Sequence, residues 1–316
     1  SYEAHEKFFE QDADFLTRLK NTNTIENWRQ GLMYDELLPL LNKNESWLAL
    51  GDGMGTDANW LEQHHIDATA TDISDYILKQ AHQQGYIKKY KVENAEKMSA
   101  ETNSYDIVLC KEAYHHFPRP YIALYEMIRV AKKAVVLIEA IDIGIQMPII
   151  VALKNILGRF NTNWINKVWK NQFSFEIVGN YVYKISEREM EKVAMGMNLP
   201  YVAYKGINPH FNTTLDLNVP KENSSVFTSI KRKIFWRNLL CKLGITPYQM
   251  MTCIIFTSEP KEVELNKLKS AGFKVEEGDE LSDTASISSI LKSTPELIKI
   301  YDDSESDVLD LIKAIN

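Results

Sequence analysis

Within about 95 residues of this chain, five short apolar runs alternate with stretches of helical periodicity. The runs lie in WLALGDG, DATATDIS, YKVENAE, SYDIVLCKEA and AVVLIEA, between residues 47 and 140. Each stops at glycine or at a polar residue. Strands separated by helices in this rhythm form βαβ units around a parallel sheet, and such a sheet takes its ligands at the carboxyl ends of its strands.

The flanking sequence is less regular. Residues 2–20 and 24–41 read as helices, with capping candidates at Thr22, Asn23 and Thr24 and a stop at Asn42-Lys43-Asn44. After Ile143 the rhythm stalls, and 144–184 reads mainly as helices covering the sheet's edge. Ser186 and Glu189 fit a capping box. YVAYKGI and QMMTCIIFTSEP read as strands. The stretch 208–247 contains a basic helix, IKRKIFWRNLLCKLG, and KEVELNKLKSAGFKVEEG reads as a helix, a glycine stop and a short strand. The expected organisation is an N-terminal helical cap over 1–44, a core domain over 45–258 with insertions at about 144–184 and 208–247, and an acidic C-terminal extension over 259–316.

Charge and cysteine usage narrow the classes of function. The chain of 316 residues carries a formal net charge of −7, and residues 259–316 hold 14 acidic against 7 basic side chains. The remainder is near neutral, which argues against a surface that wraps nucleic acid. Cys110, Cys241 and Cys253 form no CxxC pair, so neither structural zinc nor a disulfide is expected, and a reducing compartment is. The longest apolar candidate, 134–153, is broken by Glu139, Asp142 and Pro148, and no secretory signal is visible, so a cytoplasmic protein is expected.

Four features point to chemistry. Gly51, Gly53 and Gly55 follow the first strand and precede a helix, where the backbone turns sharply and a ligand must lie against it. In the dinucleotide fingerprint the third glycine falls one residue later, where this chain has Thr56. The spacing suits an uncharged linker such as the methionine–ribose portion of S-adenosylmethionine rather than a pyrophosphate. Asp72, at the end of the second strand, can accept hydrogen bonds from both ribose hydroxyls. Asn94 and the backbone N–H of Ala95 suit an adenine edge. Finally, YDIVLCKEAYHHF opens a core strand onto a polar loop bearing His115 and His116.

Together these segments resemble the class I S-adenosylmethionine-dependent methyltransferases. LALGDGMG resembles their first motif, TDIS (Asp72 with Ile73) the ribose-binding motif, NAE the adenine-binding segment and YDIVLCKEAYHHF the fourth strand, over about residues 45–140. The resemblance implies an α/β, Rossmann-like, seven-stranded, mostly parallel sheet whose last strand, QMMTCIIFTS, runs antiparallel. It also implies S-adenosyl-L-methionine as cofactor, held by Gly51, Asp52, Gly53, Gly55, Asp72, Ile73, Asn94, Ala95 and Glu112. The family usually has an acid where this chain has Ala49; here the acid is Asp52, a candidate for the cofactor's amino group.

His115 and His116 are the candidate bases for a hydroxyl acceptor, His115 being nearer the strand end. Glu112 and Tyr114 are alternatives. His210, Tyr2 and Trp28 are candidates to line the pocket, whereas His64 and His65 read as structural. The basic helix reads as a solvated helix packing its aromatics on the core, or as a lid or a site for an anionic acceptor. KEAYHH stands where base- and amine-directed nucleic-acid methyltransferases carry D/N-P-P-Y/F, and no carboxylate–Asn set marks a magnesium site. The expected reaction is SN2 methyl transfer to a hydroxyl of a small molecule, sugar or glycan intermediate, or secondary metabolite, without nucleic-acid or metal partners. A cofactor-binding module without chemistry and a nicotinamide-dependent oxidoreductase are the rivals.

Overall fold

The computed structural model describes residues 20–142, 147–157, 159, 181–210, 219–222 and 224–278. Nearly all of the expected helix over 2–20, with Tyr2, most of 144–184 and residues 279–316 of the acidic extension lie outside them.

Among the described residues, eight strands form one sheet: β1 Ser46–Leu50, β2 Asp67–Asp72, β3 Tyr90–Val92, β4 Tyr105–Lys111, β5 Ala131–Ala140, β6 Tyr201–Ile207, β7 Met250–Phe256 and β8 Lys274–Glu277. Their order is β3-β2-β1-β4-β5-β7-β6-β8. β7 pairs antiparallel with both β5 and β6, as expected for QMMTCIIFTS, while β1 to β5 pair in parallel. The count of seven strands is corrected to eight. β8 pairs antiparallel with β6, Tyr201 opposite Glu277 and Tyr204 opposite Lys274. Without it β6 would be an edge with a bare row of backbone donors and acceptors, which proteins generally cover.

The helices are α1 Ile25–Tyr34, α2 Thr56–Gln63, α3 Tyr76–Gln83, α4 Pro120–Val130, α5 Pro148–Leu157, α6 Glu187–Gly196, α7 Ser225–Lys242 and α8 Glu262–Ser270. Thr24 caps α1, its Oγ1 accepting from Asn27 N at 3.0 Å, and a 3-10 turn over Asp35–Leu40 replaces the expected continuation of that helix. Pro39 sits in that turn, where it removes a donor that an α-helix would need. Ser186 caps α6, its Oγ accepting from Glu189 N at 3.3 Å; the Glu189 carboxylate accepts from the Ser186 hydroxyl at 2.8 Å rather than from the Ser186 backbone N–H that a full capping box uses.

Successive strand residues alternate between two cores. Trp47, Ala49, Ile107, Leu109, Val136 and Ile138 face one side, where Met33 of α1, Leu61 of α2, Leu78 of α3 and Leu268 of α8 pack. Leu48, Leu50, Val108, Cys110, Val135 and Leu137 face the other, covered by Leu124 and Met127 of α4 and by Met190 and Val193 of α6. A strand buried on both faces must be apolar at every position, which is why these runs were unbroken in the sequence. The strand order reverses between β1 and β4. At such a switch point the two connecting chains leave in opposite directions and open a crevice at the carboxyl ends.

Candidate active site

The glycine turn after β1 is shaped by its neighbours. Gly51 has φ +73°, and a Cβ there would lie 2.5 Å from the Ala113 Cβ. Glycine thus permits both the left-handed backbone and the close approach of the loop that follows β4. A Cβ on Gly53 would lie 3.1 Å from Asp72 Oδ2, so the ends of β1 and β2 form a shallow cradle with a carboxylate on its wall. The backbone N–H of Asp52 donates to the Thr71 carbonyl at 2.9 Å, fixing the two strand ends together. Gly55, with φ +72°, turns the chain into α2.

Asp52 is buried and turned toward the N-terminus of α2. Its carboxylate accepts from Ala58 N at 2.9 Å and Asp57 N at 3.2 Å. Burial, then the neighbouring Asp57 charge, push its pKa well above the usual carboxylate range, against the pull of these backbone donors. Asp72 Oδ1 accepts from Ser74 N at 3.1 Å, and half-buried Ile73 lies between them in sequence. Asn94 is exposed and closes a local turn through Glu96 N at 2.9 Å, and Ala95 is buried beside it.

At the end of β4, Lys111 is fully buried and points toward α1. Its Nζ lies 3.1 Å from Asp57 Oδ1, donates to Gln30 Oε1 at 2.9 Å and stands 5.1 Å from the Tyr34 ring centroid. The Tyr34 hydroxyl donates to Asp57 at 2.6 Å. Burial would lower the pKa of Lys111, but the charges of Asp57 and Glu112 outweigh it and raise it. Glu112 itself adopts φ +51°, and its carboxylate accepts from Gln30 Nε2 at 3.1 Å and lies 3.5 Å from Arg29 Nη1. Burial pushes its pKa up, yet Lys111 and Arg29 prevail and hold it below the ordinary value.

His115 has a partner that the sequence analysis missed. Its Nδ1 lies 2.6 Å from Oε2 of Glu139, a fully buried residue near the end of β5. Glu139 Oε1 accepts from the backbone N–H groups of Ala113 and Tyr114 at 2.8 and 2.7 Å. With one oxygen occupied by backbone donors, the other is left to receive Nδ1–H, which places the imidazole lone pair on Nε2. The signal was an acid inside the otherwise apolar AVVLIEA. The His116 ring lies tilted by 50° against that of His115, centroids 4.0 Å apart, and its backbone N–H donates to Ala113 O at 3.0 Å.

The remaining candidates disperse. His64 bonds the Trp60 carbonyl through Nδ1 at 2.8 Å, and Trp28 packs edge-on to Phe227 at 4.9 Å. His210 lies at the end of β6, where burial and then Lys233 and Arg237 lower its pKa. Two cavities flank the central residues. One of about 740 Å³ runs from Gln30 and Tyr34 to Met54, Thr56 and Tyr86. The other, of about 220 Å³, is lined by Tyr114, Tyr121, Tyr181, Tyr183 and Glu189, beside the loop bearing His115.

Residues 48–138 match the family model described as a methyltransferase domain. Over this stretch the chain is similar to methyltransferase domains. The matched segment runs from within β1 to within β5, and so includes the glycine turn, Asp72, Asn94, Glu112 and His115. The chain also resembles solved structures, all distant. One is a putative methyltransferase of Haloferax volcanii solved with its activator, at 12% identity and TM-score 0.48, covering 78% of this chain and 96% of that one. A second is an S-adenosylmethionine-dependent methyltransferase of Archaeoglobus fulgidus, at 13% identity and TM-score 0.47, covering 78% and 100%. A third is the magnesium protoporphyrin IX methyltransferase of Synechocystis with bound S-adenosylhomocysteine, at 15% identity and TM-score 0.41, covering 72% and 82%. Comparison with curated proteins gives no match. No helix among the described residues is long and apolar enough to cross a membrane.

Proposed function

We propose that this methyltransferase methylates a hydroxyl group of a small molecule, sugar or glycan intermediate, with His115 as the general base. The observation that carries this reading is the buried Glu139 carboxylate 2.6 Å from His115 Nδ1. A carboxylate in that place fixes the ring and its tautomer, leaving Nε2 to take a proton. The loop holding His115 also packs against Gly51 through Ala113, which keeps the base beside the cofactor turn.

The cradle fits S-adenosylmethionine. A Cβ at Gly53 would intrude toward Asp72, so the missing side chain leaves space between backbone and carboxylate. Gly51, Gly53 and Gly55 let a ligand lie against the chain; Asp72, with Ile73 beside it, receives the ribose hydroxyls, and Asn94 with the Ala95 N–H meets the adenine. Asp52 holds the turn by capping α2, and Glu112, kept ionised by Lys111 and Arg29, offers negative charge to an ammonium group. When bound, the cofactor supplies an electrophilic methyl carbon for SN2 transfer. His115 accepts the acceptor's proton, and His116 forms part of the same surface. The tyrosine-lined cavity beside the loop suits the ring face of a hydroxylated acceptor.

Calorimetry with S-adenosylhomocysteine and with NADH tests the cofactor reading. The wild type binds the former, and Asp72→Asn weakens that binding by about 10–100-fold, the worth of hydrogen bonds to a charged acceptor. Binding of NADH without S-adenosylhomocysteine reverses the assignment. Labelled methyl appearing only on nitrogen, across a panel of hydroxylated and amine acceptors, overturns the O-methylation.

A further inference from the structure

The helix α7 and the turn after it carry an exposed apolar patch that neither the cofactor cradle nor the base uses. Phe235 is 62% exposed, Trp236 56%, Leu243 64% and Ile245 58%, with Leu239 and Leu240 exposed between them. The inward face of the helix holds Ile230 and Cys241, so these six side chains have no place in the core. Groups of large apolar side chains at the surface of a soluble protein mark a site of contact.

The charge along this segment is of one sign. No acidic residue occurs between Glu222 and Glu259, in a chain with a formal net charge of −7. Exposed Lys231, Arg232 and Lys233 stand just before the patch, and exposed Lys242 lies within it. A second copy of this surface would bring like charges together. Aromatic and aliphatic side chains interleaved with cations instead match the headgroup boundary of an anionic bilayer, where the apolar tips enter and the ammonium groups reach the lipid phosphates.

The patch is held rigidly at the ligand edge of the sheet. Asn208 follows β6, whose carboxyl end lies on the same edge as that of β5, because β7 pairs antiparallel with both. Its Oδ1 accepts from Arg237 Nε at 3.1 Å and Gln249 N at 3.0 Å, and its Nδ2 donates to Asn238 at 2.7 Å. At the other end of α7, Phe227 packs on Trp28 of α1, the helix whose Gln30 reaches Glu112.

We infer that the exposed face of α7 and its following turn, from Lys231 to Ile245, docks on an anionic lipid surface and sets the acceptor side of the protein against it. The inference stands apart from the cofactor reading. The test is co-sedimentation of the full chain with vesicles of phosphatidylcholine alone and of phosphatidylcholine with roughly one-third phosphatidylglycerol. The wild type should pellet with the anionic vesicles only, and release as salt rises to about 0.5 M, where charges are screened within a few ångströms. Phe235→Ser with Trp236→Ser should lose most of the binding. Lys231→Glu with Arg232→Glu should weaken it by at least about 25-fold, taking about fivefold per basic side chain. Both variants should keep the wild-type melting curve and S-adenosylhomocysteine affinity, which shows that they fold. Failure of the wild type to bind anionic vesicles overturns the inference, as does equal binding to both vesicle types or binding unaffected by the two double variants. So does a wild-type dimer that Phe235→Ser with Trp236→Ser makes monomeric without any vesicle binding by the wild type.

Discussion

Replacing Glu139 by glutamine keeps the shape of the side chain but reverses what it says to His115. Glu139 accepts three hydrogen bonds, from Ala113 N at 2.8 Å, Tyr114 N at 2.7 Å and His115 Nδ1 at 2.6 Å. The glutamine oxygen can keep the two backbone donors, and its amide then presents N–H groups to Nδ1. The imidazole must answer as an acceptor there, which moves its proton to Nε2 and removes the lone pair that a base needs. General-base catalysis is worth about 10²–10⁴ in rate, so kcat should fall by that factor, about 3–5 kcal/mol in barrier. The lost charge-assisted bond costs stability of only about 1–3 kcal/mol, so the protein stays folded. Turnover with labelled cofactor at saturating acceptor reads the rate, and nitrogen-15 shifts of labelled histidine read the tautomer without any acceptor. His115→Ala should lose as much, and the double variant little more, because the two groups act as one unit. A Glu139→Gln enzyme within about threefold of wild type, or losses that simply add in the double variant, refutes the reasoning.

Three further outcomes follow from the geometry. Gly51→Ala should cost stability, about 1–2 kcal/mol for the left-handed backbone alone plus the overlap with Ala113, whereas Gly53→Ala should spare stability and lower S-adenosylhomocysteine affinity; urea denaturation and calorimetry separate the two, and parallel losses in both assays would contradict the cradle. Glu112, held ionised by Lys111 and Arg29 against burial, contributes stability that is complete above its unfolded pKa near 4.3 and fades as pH falls through the lower folded value; Glu112→Gln should therefore be less stable than wild type at neutral pH and converge with it in acid, and a difference independent of pH would refute this. Asn208→Ala strands Gln249 N and the Arg237 guanidinium, so the unfolding free energy should drop by about 2–4 kcal/mol, and a loss under about 1 kcal/mol would show that water replaces the side chain without penalty.

What was legible in the sequence is what chain proximity or burial on both faces imposes. The apolar stretches 47–50 of β1, 107–110 of β4 and 134–138 of β5 were legible because each of those residues meets one of two cores. The nearness of Gly53 to Asp72 was readable from motif order, since β1 and β2 are sequential neighbours in register, Leu50 opposite Thr71. What was not legible depends on pairing at a distance. Glu139 lies 24 residues from His115 in the chain, and they meet because β4 and β5 align Lys111 with Ile138, which brings the residues after Lys111 beside those after Ile138. Gln30 and Glu112 are 82 residues apart and meet only once α1 folds back on the sheet. Nor does sequence give the direction of a side chain: an acid in a glycine turn was visible at Asp52, but not that α2 begins four residues later with N–H groups aimed at it. KVEE was legible as a short strand, but it alternates too briefly to declare that it joins the sheet and covers the edge of β6, so the count of seven implied by the resemblance fell one short.

These distant pairs share one physical consequence. Lys111, Asp57, Tyr34, Gln30 and Glu112 join α1, α2 and β4 through polar contacts, in a place where apolar packing would give more stability for less desolvation. A polar network is directional where an apolar contact is not, so it fixes the register of α1 over the strand end rather than merely holding it there. Because Gln30 bonds both Lys111 and Glu112, any shift of α1 must break bonds to two residues of the β4 end together. The charge near the cradle and the position of the helix that flanks it are therefore one variable. A substitution at Gln30 should alter the environment of the Glu112 carboxylate as directly as one at Lys111, although Gln30, unlike Lys111 and Glu112, lies outside the glycine-to-histidine motif sequence.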